Sequence, residues 1–290
     1  MSLGVHPVID SHQHFWDPEV AEYPWMTGPY RSLRRRFGPE DLAPEIKACG
    51  VDATIVVQAR HDLDETRKLL AYASENPWIV GVVGWVDLAK ADVSDTIASL
   101  RESAGGRLLV GIRHQVHDEP DPEWLLRPDV EFGLRAVADA DLTYDLLVRS
   151  REMPVALEVA RRLPDLRLVI DHLGKPPIST GDLEPWASLI GAFRDLENVT
   201  CKISGLVTEA SWDNWQQHDL VPYVGIGLEI FGPHRLLFGS DWPVCLLAGT
   251  YTEVYEASLT TLREFLGADM GSVLGGCAVR TYFNGVDPTE

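Results

Sequence analysis

The stretch Val8-Ile9-Asp10-Ser11-His12-Gln13-His14-Phe15-Trp16 begins as a buried strand and turns abruptly polar. In an extended segment, residues i and i+2 project from the same face, so His12 and His14 share one. Two imidazoles on one face at a strand end make half of a metal site or an electrophilic cluster. Two surface histidines on a loop are the plainer alternative. Far along the chain, Leu236-Leu237-Phe238-Gly239-Ser240-Asp241-Trp242-Pro243 repeats the design, an apolar run ending in a carboxylate. A first strand ending in paired histidines and a last strand ending in Asp241 form a constellation, which is rarer by chance than either half.

Between these two ends, short aliphatic runs recur. They predict strands at Val8–Asp10, Ala53–Gln58, Val80–Val86, Leu108–Arg113, Thr143–Val148, Arg167–Asp171, Thr200–Ile203 and Arg235–Phe238. Most are continuously apolar rather than alternating, as strands buried on both faces of a parallel sheet are. Helical spacing lies between them, at Asp64–Asn76, Asp92–Ser103, Val130–Ala140, Val155–Leu163, Trp186–Leu196, Tyr223–Phe231 and Val254–Leu266. In the first of these, Leu63, Thr66, Leu70 and Ala73 form the apolar stripe, with Asp62 and Glu65 set as an N-terminal cap. Eight strands alternating with helices over about 250 residues predict a (β/α)8 barrel of the TIM type in a single domain spanning residues 1–290. An open doubly wound sheet is the competitor. No Gly-x-Gly-x-x-Gly follows the first strand, which weakens it. The segment Asp17–Pro39, with Trp25, Tyr30 and the run Arg34-Arg35-Arg36, is too long for a simple turn and reads as a lid or rim over the barrel mouth, or as a surface excursion packed by its aromatics.

Composition narrows the functional classes. The chain has 290 residues, 45% of them hydrophobic, enough for a sizeable core. Its formal net charge of −19 opposes nucleic acid and anionic lipid, and disfavours strongly anionic substrates at long range. No apolar run approaches the roughly 20 residues of a membrane span. Cys49, Cys201, Cys245 and Cys277 are scattered without a Cys-x-x-Cys pair, and Met1–Pro7 lacks the basic start and apolar middle of a signal peptide. The expectation is a cytoplasmic enzyme with reduced thiols and a small-molecule substrate, a monomer or homodimer, without nucleic acid or membrane as partner.

In barrels of this kind, function sits at the C-terminal strand ends. Here those ends carry His12 and His14, then Gln58 with Arg60 and His61, then Trp85 and Asp87. Arg113, His114 and His117 follow, then Asp145, Asp171 and His172, then Lys202 and Ser204, and finally Asp241. Asp171 reads first as a loop cap, and Asp10 as an anchor of the first turn. Arg113 stands between a structural ion pair and a functional role. Lys202 lies inside an apolar run, where an unpaired charge is expensive, and therefore requires a partner or a substrate. Trp16 and Trp242 directly follow ligand-like residues, and either wall a pocket or pack.

Assembled in order, five pieces resemble the amidohydrolase superfamily, in its amidohydrolase-2-like lactonase branch. They are Asp10–Trp16, Gly111-Ile112-Arg113, Asp171-His172-Leu173-Gly174-Lys175-Pro176, Cys201-Lys202-Ile203-Ser204-Gly205-Leu206 and Gly239–Pro243. The resemblance implies a distorted barrel that hydrolyses lactones, often sugar lactones of the fucono-, rhamnono- or galactono- type. It also implies a site in which His12, His14 and His172 hold the lactone carbonyl oxygen while Asp241 activates water. Arg113, Lys202, Gln58, His114, Asp145, Trp16 and Trp242 are expected around the substrate. The metal-rich branch has a lysine ending strand four and histidines ending strands five and six. This chain offers Arg113 at strand four and Asp145 at strand five, which points to one divalent ion on His12, His14 and Asp241, zinc by preference, or to none. Two other readings stay open: a metal-dependent decarboxylase of the same superfamily, and a lactonase for pyrone dicarboxylate or muconolactone-type rings.

Overall fold

Eight parallel strands form one sheet in chain order in the computed structural model, which describes residues 6–289. They are β1 (Ile9–Gln13), β2 (Ala53–Val57), β3 (Ile79–Gly84), β4 (Leu109–His114), β5 (Thr143–Leu146), β6 (Leu168–Ile170), β7 (Val199–Ile203) and β8 (Leu236–Phe238). Every strand residue is buried except the half-buried Thr200, the burial that continuous apolar runs predict. The sheet closes on itself. Ser11 Oγ donates to the Phe238 carbonyl, Asp241 N–H to His12 O at 2.8 Å, and His14 N–H to Trp242 O at 2.7 Å. The result is a distorted (β/α)8 barrel.

The helices are α1 (Pro39–Cys49), α2 (Leu63–Glu75), α3 (Val93–Glu102), α4 (Pro128–Asp139), α5 (Met153–Arg162), α6 (Trp186–Gly191), α7 (Leu206–Glu209), α8 (Gln217–Phe231), α9 (Tyr251–Leu266) and α10 (Cys277–Phe283). Helix α2 starts as expected: Asp62 caps it by accepting from Asp64 N–H at 2.7 Å. Glu65 does not complete that cap. Its carboxylate turns back to accept from Ala59 and Arg60 N–H at 2.9 and 3.0 Å, pinning the loop after β2. Three helices escape the sequence reading. Prolines at positions 39 and 44 mask α1, although Pro39 sits at its first turn, where a missing N–H is harmless. Helix α7 has only four residues, and α10 follows Gly275-Gly276. Helix α8 begins six residues earlier than expected and runs through Pro222.

The barrel interior has two storeys. Below, Ile9, Ala53, Ile55, Val57, Val83, Val169 and Leu237 pack with Cys277, Ala278 and Tyr282 of α10. Above, at the C-terminal ends, the interior is polar and fully buried. All four cysteines are free thiols. No helix among the described residues is long and apolar enough to cross a membrane. The leader reading of Met1–Pro7 falls largely on residues 1–5, outside the described ones.

Candidate active site

The polar storey is built on strand alternation. Residues two apart share a face, which turns Asp145 of β5, Lys202 of β7 and Arg113 of β4 inward. Lys202 Nζ lies 2.5 Å from Asp145 Oδ2, 3.0 Å from Asp171 Oδ1 and 3.2 Å from His12 Nδ1, with no solvent exposure. Tyr282 of α10 reaches up the axis and donates to Asp145 at 2.9 Å. Arg113 Nη1 donates to Asp171 Oδ2 at 2.9 Å, while Nη2 donates to the backbone and side-chain oxygens of Gln58. Asp171 is therefore the hub of a buried ion network rather than a loop cap. Burial pushes the Asp145 carboxyl up to about 6 even beside Lys202. For Asp171, burial works in the same direction, but Lys202, His12 and Arg113 hold it well below the usual carboxylate range. Asp10 is the anchor the sequence suggested: it accepts from Ser240 N–H at 2.9 Å, His12 N–H at 3.1 Å and Tyr251 OH at 3.1 Å.

Above this network, three imidazoles converge on Asp241. Its Oδ1 lies 3.3 Å from His14 Nε2, 3.7 Å from His12 Nε2 and 3.9 Å from His172 Nε2. Burial would raise the Asp241 carboxyl, but His172, His14 and His12 in their protonated forms oppose that and hold it well below its usual range, so it is already ionised through the acid range in which they titrate. Burial lowers all three histidines, His172 to about 4, and they are neutral at pH 7. The backbone holding these groups is itself unusual. His172 (φ 55°), Leu173 (φ 50°), Lys175 (φ 56°) and Asp241 (φ 59°) are all left-handed, a conformation that costs a non-glycine residue about 1–2 kcal/mol each. Hydrogen bonds hold the strain: Trp186 Nε1 donates to Leu173 O at 2.7 Å, and Asp241 O accepts from Cys245 N–H at 2.9 Å. Gly205 (φ 61°) keeps the centre open, since a Cβ there would stand 2.6 Å from His172 Nδ1 and 2.9 Å from Asp241 Oδ2.

The donor set fits one cation. His14 Nδ1 stands 2.7 Å from the Val57 carbonyl, which only accepts, so the proton is on Nδ1 and a lone pair on Nε2 faces the Asp241 carboxylate. Two acceptors facing each other at 3.3 Å want a cation or proton between them. His12 Nε2, 3.2 Å from His14 Nε2, completes two nitrogens and an oxygen, a ligand set suited to zinc. Arg113 Nη1 lies 3.2 Å from His12 Nε2, and this positive charge beside the ligand atoms opposes a second ion. A further grouping, His61, His114 and Glu119, does not fit a metal. Trp85 Nε1 donates to His114 Nδ1 at 3.1 Å, which leaves the His114 proton on Nε2, facing Glu119 at 2.7 Å.

Over Asp241 opens a cavity of about 290 Å³. Its floor holds His14, Arg113, His172 and Asp241, with His12 just beneath. Trp16, Trp25 and Tyr30 form an aromatic wall; the other wall is polar, with Gln115, His117, Asp118, Arg149 and Lys175. The Asp17–Pro39 segment thus rims the mouth. Trp25 Nε1 is tied to Ala59 O at 3.0 Å, and Trp16 N–H and C=O pair with Phe37. Arg34–Arg36 stay outside the cavity; Arg36 pairs with Glu40, and Arg35 covers the Phe37 ring.

Several residues expected around a substrate sit elsewhere. Lys202 and Asp145 lie below the floor, neutralised by each other. Gln58 is buried behind Arg113 and bonded to it and to Gln115. His114 is stacked between His61 and Trp124, at 3.8 and 4.1 Å. Trp242 packs edge-on against Phe15 and Phe37. Nor is His14 a donor to a carbonyl oxygen, because its proton is on the far nitrogen. Conversely, Arg149 and Lys175 line the cavity and were not singled out for it, and His117, named among the strand-end residues, lines it too. Arg149 was hidden by reading Thr143–Val148 as one strand. The strand ends at Leu146, which puts Arg149 on the loop above it.

Comparisons with known proteins agree with this geometry. The amidohydrolase family model matches residues 9–283. An L-fucono-1,5-lactonase of Burkholderia ambifaria is 40% identical over 282 residues, 94% of each chain. One from Burkholderia multivorans is 38% identical, covering 94% of this chain and 95% of its own. A crystal structure of a Burkholderia multivorans amidohydrolase with bound zinc superposes with a TM-score of 0.90 at 37% identity, covering 96% of this chain and 99% of that one.

Proposed function

Because the chain belongs to the amidohydrolase family, we infer that it is a hydrolase that opens the ester ring of a small sugar lactone by adding water. Fucono-1,5-lactone and its galactono and rhamnono relatives are the first candidates. The observation that carries this reading is the Asp241 carboxylate, met by three imidazoles at 3.3, 3.7 and 3.9 Å on the floor of a cavity with one aromatic and one polar wall. The aromatic wall suits the apolar face of a sugar, and the polar wall its hydroxyls. A decarboxylase is the weaker reading: the likeness to 2,6-dihydroxybenzoate decarboxylase is at 14% identity and concerns the fold alone.

The residues divide the work as follows. Asp241 accepts a proton from water as the water oxygen bonds to the lactone carbonyl carbon. The ring C–O bond then breaks, and Asp241 returns the proton to the departing ring oxygen. Arg113 supplies a fixed positive charge beneath the developing oxyanion. His172, whose Nδ1 meets Ser204 Oγ at 2.9 Å, donates from Nε2 when the Ser204 hydroxyl donates to Nδ1. One divalent ion, zinc by preference, would be held by His12, His14 and Asp241, and would polarise the carbonyl when bound. Lys202, Asp145 and Tyr282 keep the floor rigid. A cytoplasmic setting and a monomer or homodimer complete the proposal. The test is acid release from a panel of aldonolactones in weak buffer, with and without chelator. Turnover of a neutral sugar lactone supports it; saturable binding with no acid released rejects it.

A further inference from the structure

We propose that Glu209 sets the charge selectivity of the cavity, so that it takes neutral lactones and excludes those bearing a carboxylate. This deepens, and rests on, the reading of the chain as a lactone hydrolase. The cavity lining taken alone points the other way. Among the fixed charges, Arg113, Arg149 and Lys175 outnumber Asp118 and Asp241, so the lining suits an anion. The residues behind it reverse that balance. Asp171 engages Arg113, as described above. Glu209, the last residue of α7, places Oε1 at 2.6 Å from Lys175 Nζ and Oε2 at 3.5 Å from Arg149 Nη1. With Asp171 and Glu209 included, the charged side chains around the cavity are net negative, counted without a divalent ion on His12, His14 and Asp241. The Glu209 and Lys175 side chains are 14% and 15% exposed, so water screens that pair little, whereas the half-exposed Arg149 meets Glu209 in a more strongly screened contact.

The arrangement is built rather than incidental. Lys175 is presented by the left-handed turn that follows β6, three residues after His172, and its side chain is 15% exposed. Glu209 enters from the segment after β7 that also carries Gly205. The two loops that frame the catalytic centre therefore also supply the pair. A lactone with a carboxylate substituent would have to break Lys175 or Arg149 away from Glu209 and then lie beside it. A neutral lactone leaves the pair intact and meets its outer donors with hydroxyl oxygens. Nearby, Asp118 faces the same wall from the loop after β4, 3.3 Å from His117 Nε2, and adds to the repulsion of anions.

The experiment compares Glu209→Gln with the wild type on a matched pair of lactones, D-galactono-1,4-lactone and D-galactaro-1,4-lactone, which differ by a carboxylate in place of a hydroxymethyl group. The expected result is a rise of at least about tenfold in the ratio of kcat/KM for the carboxylated over the neutral lactone, about 1.4 kcal/mol. The triple variant E209Q/K175Q/R149Q is expected to lose that gain. A ratio within about threefold of wild type, or a gain that persists in the triple variant, overturns the proposal. Calorimetric binding of D-galacturonate against D-galactose reads the same charge selection without turnover. If neither lactone is hydrolysed by any variant, the lactonase reading fails, and the binding comparison still decides the role of Glu209. Should E209Q not fold, Lys175→Gln reads the balance in the opposite sense. It is expected to weaken galacturonate binding relative to galactose, and an unchanged preference counts against the proposal.

Discussion

Replacing Lys202 with Met is the sharpest test of the buried floor. The ammonium stands between two carboxylates, 2.5 Å from Asp145 and 3.0 Å from Asp171, with no exposure. At an effective dielectric of about 20, one such contact at 3 Å is worth roughly 5 kcal/mol before desolvation is subtracted. Breaking a buried pair by removing one partner typically costs about 3–5 kcal/mol, because the other charge is left uncompensated. Asp171 keeps Arg113, but among the described residues Asp145 keeps only the neutral donors Tyr282 and Thr143. The Asp145 carboxyl, already pushed up to about 6 by burial, loses the cation that opposes the rise and climbs further. In the window above pH 6, the folded variant then holds a proton that the folded wild type has released. The deficit relative to wild type therefore grows with pH, by up to about 1.4 kcal/mol per unit. Urea denaturation at pH 8 should show a loss of about 3–5 kcal/mol that shrinks toward pH 5.5, and K202M/D145N should recover part of it. A loss below about 1 kcal/mol, the same at both pH values, would refute the account of the floor.

Dialysed protein should carry at most one divalent ion per chain by elemental analysis; two equivalents, both needed for activity, would contradict the role given to Arg113. Burial pushes the Glu65 carboxyl up to about 7, so the proton that folding retains is lost as pH rises through that value. Stability should therefore fall between about pH 4.5 and 7, and Glu65→Gln should flatten that part of the profile; an unaltered slope in the variant removes Glu65 from it. Trp25→Ala, which opens the aromatic wall, should raise KM about tenfold while kcat changes less, since packing on a sugar face binds ground and transition states alike. A loss confined to kcat would place Trp25 in the chemical step instead.

The barrel was legible because its strands are buried on both faces and so read as uninterrupted apolar runs, as Ala53–Val57 does. Convergence at the strand ends was legible for His12, His14, His172, Arg113 and Asp241, whose residue types change abruptly where the strand meets the cavity. Partners were harder to read. Lys202 announced that it needed a counter-charge, but nothing local distinguishes Asp171 as a network hub from a loop cap. Tyr282 reaches Asp145 across 137 positions, a contact made only when α10 closes the barrel floor. His114 and Gln58 sit at the expected strand ends, yet packing points them into stacks and amide networks. Glu209 lies three residues beyond the Cys201–Leu206 piece, on a four-residue helix with no periodicity to read. Side-chain direction at a strand end depends on the loop above it, and that depends on residues far away.

The claim that Asp241 is the proton acceptor is tested most directly by acid release from a neutral sugar lactone, with wild type and Asp241→Asn measured side by side at pH 7. Asn keeps the size and the left-handed backbone that Asx residues tolerate, but cannot take the proton from water. The account predicts a fall in kcat of about 10²–10⁴-fold with folding unchanged by circular dichroism. A variant that folds and retains activity within about threefold of wild type would contradict it.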